Sequence, residues 1–400
     1  MFQKNELKLL WPFYLDALIS YLLFFLPAFQ LVYFISLNFS MFQIGLFFSI
    51  TSIFSLLFEI PTGAFADLYG RKKSVLLGFF IESIACLGIY FFTNFYVLLV
   101  LSALLGIGFT FSSGAREAWV TDLIKNRNGL LKNYFVKIHT LTHFCGIFSG
   151  LLGALVVKFL GVASIWLFGS FSLLLSIIIL LNGQENFVKK KIDIKNSFKN
   201  FKKQSLTAIN YSRKHHVLFL FLIAGTMASF VYGFEDLAWI PLLKNLGFEE
   251  YHFGYLWAMM SLIGMIASLV SSKLFVEGKE RLFMITTICI GAFFTMLILF
   301  VNSLIPAILI LFAGLFFSRV GRPARRLYFH RFIPSRIRAS VGSLESMLVS
   351  ATGIISAPLG GLAVDFIGPQ NTIFLSGILL IIPAFIYFKI KNDHLKCLKL

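Results

Sequence analysis

The stretch that decides the fold is Glu59-Ile60-Pro61-Thr62-Gly63-Ala64-Phe65-Ala66-Asp67-Leu68-Tyr69-Gly70-Arg71-Lys72-Lys73, between the second and third of about twelve long apolar runs. Acids, two glycines and three cations interrupt the apolar pattern here. Glycine permits tight turns and close approach of helices because it has no side chain. The stretch therefore predicts a sharp turn between two transmembrane helices at the cytoplasmic face.

The composition places the rest of the chain in a membrane. Of the 400 residues, 58% are hydrophobic and only 13% are charged, whereas a soluble domain carries about 25% charged residues. A large soluble core would need a polar surface that this chain lacks. We predict an all-α membrane protein with twelve transmembrane helices in two six-helix, pseudo-symmetric bundles.

The predicted spans divide into two groups of six. A hydrophilic segment, Gly183 to His216, separates the groups. It predicts an N-terminal bundle over 1–182, a cytoplasmic linker over 183–215 and a C-terminal bundle over 216–400. The linker is either a solvated, cationic connection on the inner leaflet or a segment that binds a partner. The predicted spans are 9–36, 42–64, 74–93, 95–118, 134–157, 162–182, 216–243, 251–275, 282–301, 304–328, 339–363 and 369–389.

Basic residues set the predicted orientation. If both termini are cytoplasmic, Lys158 and Lys244 are the two cations that fall at the opposite ends of the spans, and Arg116 lies near the inner end of span four. Cytoplasmic loops of membrane proteins are enriched in Lys and Arg, and such residues attract anionic lipid. This explains the net charge of +17 without nucleic acid as a partner. We expect a multi-pass protein of the cytoplasmic membrane.

The two halves contain a related segment. Leu152–Gly161 ends span five and Leu359–Gly368 ends span eleven, and six of their ten positions are identical at an offset of 207. Parallel repeats around a shared midplane site are a known plan of secondary transporters.

The charges of the opening stretch suggest a gate. Asp67 can face a helix N-terminus, and Arg71 can form forked bonds to a carboxylate. Glu117 and Asp122, with Arg116 beside them, lie at the same level at the end of span four. The cluster is either an inner gate or simply a turn rich in positive charge.

The stretch from Gly63 to Lys73 resembles the loop motif of the major facilitator superfamily, G-x-x-x-D-x-x-G-R-(K/R). The anchor positions are Gly63, Asp67, Gly70, Arg71 and Lys72. The resemblance implies alternating access by two rocking bundles, with the Asp67/Arg71 cluster latching the inner gate. The sequence contains no P-loop G-x-x-x-x-G-K-[ST], no G-x-S-x-G and no H-E-x-x-H motif, so no enzymatic activity is expected. Two features of drug–proton antiporters are missing, since Ser102 stands where their span-four Arg is found and Leu151 follows Gly150.

Acids within the spans are candidates for binding protons or substrate, because an ionisable group in a membrane is costly and usually functional. Asp16 is the preferred proton or cation site, and Glu82 is either a proton carrier or a hydrogen-bond partner between helices. Glu235 and Asp236 lie near Trp239, a set that suits a cation. Glu345 is expected to pair with an arginine of span ten. The alternative for Asp16, Glu235 and Asp236 is hydration near a membrane surface.

Arginines cluster at the end of span ten. Arg319, Arg322 and Arg326 share a helical face at spacings of three and seven residues. They either line a cavity that binds anions or extend to lipid headgroups.

We therefore predict a secondary active transporter that moves a small molecule, by proton-coupled efflux of an apolar or cationic compound. A metabolite or organic-anion carrier is the alternative within transport, and a non-transporting receptor or scaffold is the alternative of another class. No cofactor or metal is expected. The expected partners are protons, membrane lipid and the substrate, and the expected oligomeric state is a monomer.

Overall fold

The fold comes from a computed structural model that describes residues 4–124, 129–187, 205–274, 278–331, 333 and 337–390. The regular secondary structure of the described residues is helical. Most of the predicted linker and the last ten residues lie outside this range. In the first half the helices are α1 (Lys4–Leu23), α2 (Leu26–Ser36), α3 (Met41–Tyr69), α4 (Arg71–Phe91), α5 (Phe95–Ile124), α6 (Leu130–Leu160) and α7 (Ser164–Leu180).

The second half follows the same plan. Its helices are α8 (His216–Asn245), α9 (His252–Leu274), α10 (Glu280–Met296), α11 (Leu304–Val320), α12 (Arg322–Arg331), α13 (Arg338–Ile367), α14 (Pro369–Leu379) and α15 (Ile381–Lys389). A 3-10 turn, Leu297–Phe300, extends α10.

The described residues contain 11 helical segments that are long and apolar enough to cross a membrane. In this count α1 with α2, α11 with α12 and α14 with α15 each form one segment. The predicted sixth span, 162–182, corresponds to α7, a shorter apolar helix of 17 residues. The all-helical membrane fold is therefore confirmed. The predicted count of twelve is not exactly confirmed, because the described residues contain 11 long segments and this shorter helix.

The chain forms two compact units. Unit 1 comprises Met1–Asn38, Ile50–Phe198 and Glu249–Ser261, and unit 2 comprises Phe39–Ser49, Lys199–Phe248 and Leu262–Leu400. Helix α3 therefore begins in unit 2 and continues in unit 1, and α9 begins in unit 1 and continues in unit 2. The bundle boundaries expected from the sequence stay a prediction.

Small residues allow close helix packing in unit 1. Helices α4 and α5 meet at Gly78 and Gly108, where a Cβ on Gly78 would lie 2.7 Å from the Gly108 carbonyl oxygen. Helix α1 packs on α6 and α7, and Phe13 of α1 meets Trp119 of α5 edge-on with ring centroids 4.8 Å apart. Such small-residue contacts are typical of helices packed within a membrane.

Unit 2 is built around α8. Helix α13 packs against it, with Gly360 close to the backbone of Phe234. An aromatic cluster lies at one end, where the Phe221 ring is 5.1 Å from Phe329 and 5.3 Å from Tyr387. This packing holds the polar residues of α8 and α11 in place.

The turn in the opening stretch differs from the prediction. Helix α3 continues through Gly63 and Asp67 to Tyr69, and α4 begins at Arg71. Gly63 is therefore inside a helix, and the expectation that it turns the chain is wrong. Gly70 alone makes the turn, with a φ of 105° that favours glycine.

Candidate functional site

A buried ion pair joins α1 and α5 in unit 1. Asp16 is fully buried, and its Oδ2 contacts Nη2 of Arg116, whose side chain is 20% exposed. Neither atom has another hydrogen-bond partner among the described residues. Ser20 donates to the other Asp16 oxygen at 3.0 Å and lies 3.4 Å from Ser176 of α7. The sequence assigned Asp16 to a cavity and Arg116 to a gate, and the structure brings the two together.

A second charged network connects α1 with α6. Lys137 places Nζ 2.7 Å from both carboxylate oxygens of Glu6, and Tyr14 donates to Glu6 at 2.6 Å. Tyr134, one turn from Lys137 on α6, interacts electrostatically with Arg116 and Asp16. Sequence reasoning did not select any of these groups. The available signal was Lys137, a cation inside a predicted span.

Glu82 connects α4 with α5. Ser112 donates to its carboxylate at 3.1 Å, and a Cβ on Gly108 would lie 2.5 Å from the Glu82 Cγ. This geometry provides the hydrogen bond between helices that was one of the two alternatives for Glu82. A role in proton transfer stays a prediction.

The predicted gate residues hold the turn between α3 and α4. Arg71 forms an ion pair with Asp122 at 2.5 Å and also contacts the Ala118 carbonyl. Glu117 and Asp122 are both exposed. Asp67 is half-buried and has no ion-pair partner within the part of the chain that the structure describes. The Asp67 carboxylate is therefore not part of the ion pair between Arg71 and Asp122.

Residues at the start of the predicted linker form hydrogen bonds with Lys72 of α4 and Trp119 of α5. Glu185 accepts a bond of 3.0 Å from the Lys72 backbone N–H, at the N-terminus of α4. The Lys72 Nζ donates to the carbonyls of Leu181 and Gly183 at 2.7 and 2.9 Å. Trp119 donates to the Gln184 carbonyl at 2.8 Å. Gly183, Gln184 and Glu185 belong to the predicted linker, which was expected to be either solvated or partner-binding. No sequence signal indicated that they contact the turn between α3 and α4.

The two adjacent acids of α8 have different environments in unit 2. Glu235 is buried and accepts a hydrogen bond of 2.9 Å from the Trp239 indole N–H. Asp236 follows it and is exposed, because successive residues point about 100° apart on a helix. Trp239 is 7% exposed, so its ring packs in the unit. Asp236 is the more exposed acid of this pair.

Arginines of α11 and α12 lie near Asp236. Arg319 and Arg322 act electrostatically on the Asp236 carboxylate, yet neither forms an ion pair with it among the described residues. Arg319 crosses α9 at Gly264, where a Cβ would lie 2.7 Å from its Nη1. Its Nε has no hydrogen-bond partner within the described ranges. Arg326 is exposed.

The remaining predicted acid of unit 2 is Glu345 of α13. Glu345 and Arg325 both act electrostatically on the Tyr387 hydroxyl. Tyr232, on α8, interacts with Arg325, Arg322 and both neighbouring acids. Unit 2 thus brings together the predicted residues of spans seven, ten and eleven, with Tyr232 and Tyr387 as additional members.

Long apolar helices that enclose charged residues define a multi-pass membrane protein. The chain belongs to the Major Facilitator Superfamily, whose family model matches residues 13–343. Its members are secondary carriers and are not enzymes, so the predicted family and the absence of enzymatic activity are confirmed.

Similar proteins agree with this assignment. The chain is 24% identical over 376 residues to the uncharacterized MFS-type transporter YxaM of Bacillus subtilis strain 168. This alignment covers 92% of each of the two chains. The crystal structure of a mutant nucleoside transporter NupG has a TM-score of 0.74 at 14% identity, over 94% of this chain and 99% of that one. A D-xylose-proton symporter has a TM-score of 0.70 at 13% identity, over 96% and 98%. These two structures share the fold with this chain.

Proposed function

We propose that this protein is a proton-coupled transporter that exports a small apolar or cationic compound, with Asp16 and Arg116 as its coupling pair. The observation that carries the proposal is the fully buried carboxylate of Asp16, whose Oδ2 has Arg116 as its partner. Acids at membrane depth commonly relay protons in transporters.

The pair couples a proton to a change in helix packing for an electrostatic reason. An ion pair within a protein depends on both charges, and removing one leaves the other buried without compensation at a cost of about 3–5 kcal/mol. A proton on Asp16 removes the negative charge of the pair and leaves the positive charge of Arg116 without compensation. Arg116 then relaxes by moving toward water or toward a substrate, and this movement changes the packing of α1 against α5.

The proposed direction and substrate rest on two separate observations. The segment Glu59–Thr62 resembles bacterial members of uncharacterised or efflux type, and Asp236 is an exposed acid on α8. A cationic, largely apolar solute fits an acid with aromatic and aliphatic neighbours. Export in exchange for protons is the direction that we assign.

Flux measurements on the purified protein in proteoliposomes test this proposal. A pH gradient should drive the movement of ethidium, an apolar cation, in the wild type. D16N should abolish the gradient-driven flux and keep ethidium exchange at equal pH. E249Q, which removes an exposed carboxylate elsewhere, serves as a control and should transport normally.

Two outcomes would contradict the proposal. If D16N keeps wild-type gradient-driven flux, Asp16 is not the coupling residue. If the wild type moves neither ethidium nor any other solute in a broad panel, a receptor or scaffold function replaces transport.

A second candidate function is the transport of an organic anion, and Arg319 and Arg322 favour it. Both arginines act electrostatically on Asp236, but neither forms an ion pair with it among the described residues. The Nε atom of Arg319 has no hydrogen-bond partner among these residues. Guanidinium groups match carboxylates with two parallel hydrogen bonds. Such a site suits a solute that carries a carboxylate, with a donor group directed at Asp236.

Ligand-induced thermal stabilisation distinguishes the two candidates. If the solute is anionic, benzoate should raise the melting temperature and ethidium should not. R319A should then abolish the benzoate effect, whereas R326A, which changes an exposed arginine of the same region, should preserve it. Equal losses in R319A and R326A would rule out a specific role of Arg319.

A further inference from the structure

The first turn of α3 is bound by a carboxylate from α13. The two oxygens of Asp365 accept hydrogen bonds from the backbone N–H groups of Met41 and Phe42, each at 2.9 Å. The first N–H groups of a helix have no partner within the helix, and the positive end of the helix dipole favours a negative charge. Asp365 therefore caps α3 from a position 324 residues away.

Close backbone packing surrounds this contact within unit 2. A Cβ on Gly361 would collide with the backbone of Met41, and a Cβ on Gly45 would lie 2.5 Å from the Ala357 carbonyl oxygen. One turn further along, Ser49 donates to the Ile354 carbonyl at 2.5 Å. The first nine residues of α3 thus lie directly on the backbone of α13.

The sequence repeat leads to a matching contact in unit 1. Lys158 stands 207 residues before Asp365, at the same place in the repeated segment. Its Nζ lies 5.1 Å from the centroid of Tyr251, just before α9, and Gly254 of α9 packs on the backbone of Gly150. Both halves therefore use this position to contact the start of another helix. The two contacts differ in kind, because Asp365 forms two charge-assisted hydrogen bonds and Lys158 forms a cation–π contact.

We propose that Asp365 is a latch residue that holds the first turn of α3 against α13 in one state of the transport cycle and releases it in another. Helix α3 leaves unit 2 after Ser49 and continues as part of unit 1. Release of its first turn is thus transmitted along a continuous helix to the turn at Gly70. The inference concerns conformational control and depends neither on the proposed coupling ion nor on the substrate.

Thiol accessibility of the α3–α13 contact tests the latch. S49C places a thiol of similar size at a position that is 4% exposed. Cys289 is exposed and is replaced in the background protein, together with Cys397, whereas Cys86 and Cys145 are buried. The full-length protein in proteoliposomes is labelled with a water-soluble maleimide. D365N in the S49C background should raise the labelling rate at least threefold.

Two further variants complete the experiment. E249Q removes one exposed negative charge without touching α3 or α13 and should leave the rate unchanged. M41P removes one of the two N–H donors and keeps Asp365, and proline is tolerated at the first position of a helix. M41P should also accelerate labelling, and it decides the question if D365N does not fold.

The proposal is overturned if folded D365N and M41P proteins label at the rate of the S49C parent. It is also overturned if E249Q accelerates labelling as much as D365N does, because a general change of charge then explains the effect. Absence of proton-driven flux would leave the latch unaffected and would contradict only the coupling proposal.

Discussion

Charged residues on α1 are neutralised by cations from two different helices. Glu6 and Asp16 are both buried, and their partners are Lys137 of α6 and Arg116 of α5. Removing a charge from water is expensive unless a partner compensates for it. The two pairs therefore connect α1 with its neighbours α5 and α6.

The Glu6 pair gives a stability prediction at this scale. K137M should destabilise the protein by about 3 kcal/mol, because it removes a cation that lies 2.7 Å from both oxygens of the buried Glu6 carboxylate. E6Q combined with K137M should recover most of the loss. The measurement is the melting temperature of the purified protein, and K132M, at an exposed position on the same helix, is the control. A K137M protein as stable as K132M would show that the pair contributes nothing.

Single residues also mark the limit of sequence-based inference. Asp16 was selected because an acid stands inside an apolar run, a signal that is visible along the chain. Its partner Arg116 was not recognised as such, because it is 100 residues away in the sequence. Arg116 stands near Glu117 and Asp122, and it was assigned with them to the predicted inner gate. Glu6 lies outside the first predicted span and gave no such signal.

At the scale of elements, the turn between α3 and α4 depends on one glycine. Gly70 has a φ of 105°, and a Cβ there would lie 3.0 Å from a Glu185 carboxylate oxygen. The same carboxylate binds the Lys72 N–H. The conformation of the turn and the cap of α4 are therefore linked at this position.

The two glycines of the motif should respond differently to alanine. G70A should lower stability by about 1–2 kcal/mol, because the left-handed backbone disfavours a side chain and the Cβ displaces Glu185. G63A should be neutral or stabilising by up to about 1 kcal/mol, since Gly63 is inside α3 and nothing lies within 4 Å of the added Cβ. Melting temperatures of both variants provide the test, and equal losses would contradict this assignment.

Element positions were largely predictable because hydrophobicity and glycine placement act locally. The second span was nevertheless predicted to end at residue 64, and the helix continues to Tyr69. Asp67 is half-buried in that last part, so polarity alone did not end the helix. The backbone conformation of Gly70 ended it.

At the scale of the molecule, each unit receives one end of a helix that continues in the other. The start of α3 belongs to unit 2 and the start of α9 belongs to unit 1. Both starts are packed through glycine, at Gly45 and Gly254. The weak sequence repeat therefore corresponds to a repeated mode of helix contact.

Orientation in the membrane gives a prediction at this scale. Because basic residues favour the cytoplasmic side, both termini should be cytoplasmic. Alkaline phosphatase, which is active only outside the cytoplasm, should be inactive when fused after Leu400 and active when inserted at Asn302, between the 3-10 turn and α11. Green fluorescent protein should show the reverse pattern. Phosphatase activity at the C-terminus would invert the proposed topology.

The sequence by itself determined the membrane class, the family, the approximate spans and the stretch, Glu59 to Lys73, in which the chain turns. These properties follow from composition and local pattern, which need no knowledge of distant neighbours. Tertiary structure alone decided that Asp16 meets Arg116, that Glu185 binds Lys72 across 113 residues and that Asp365 caps α3 across 324 residues. Such partners are set by helix packing in three dimensions, since a charge in a chain carries no record of which helix will lie beside it.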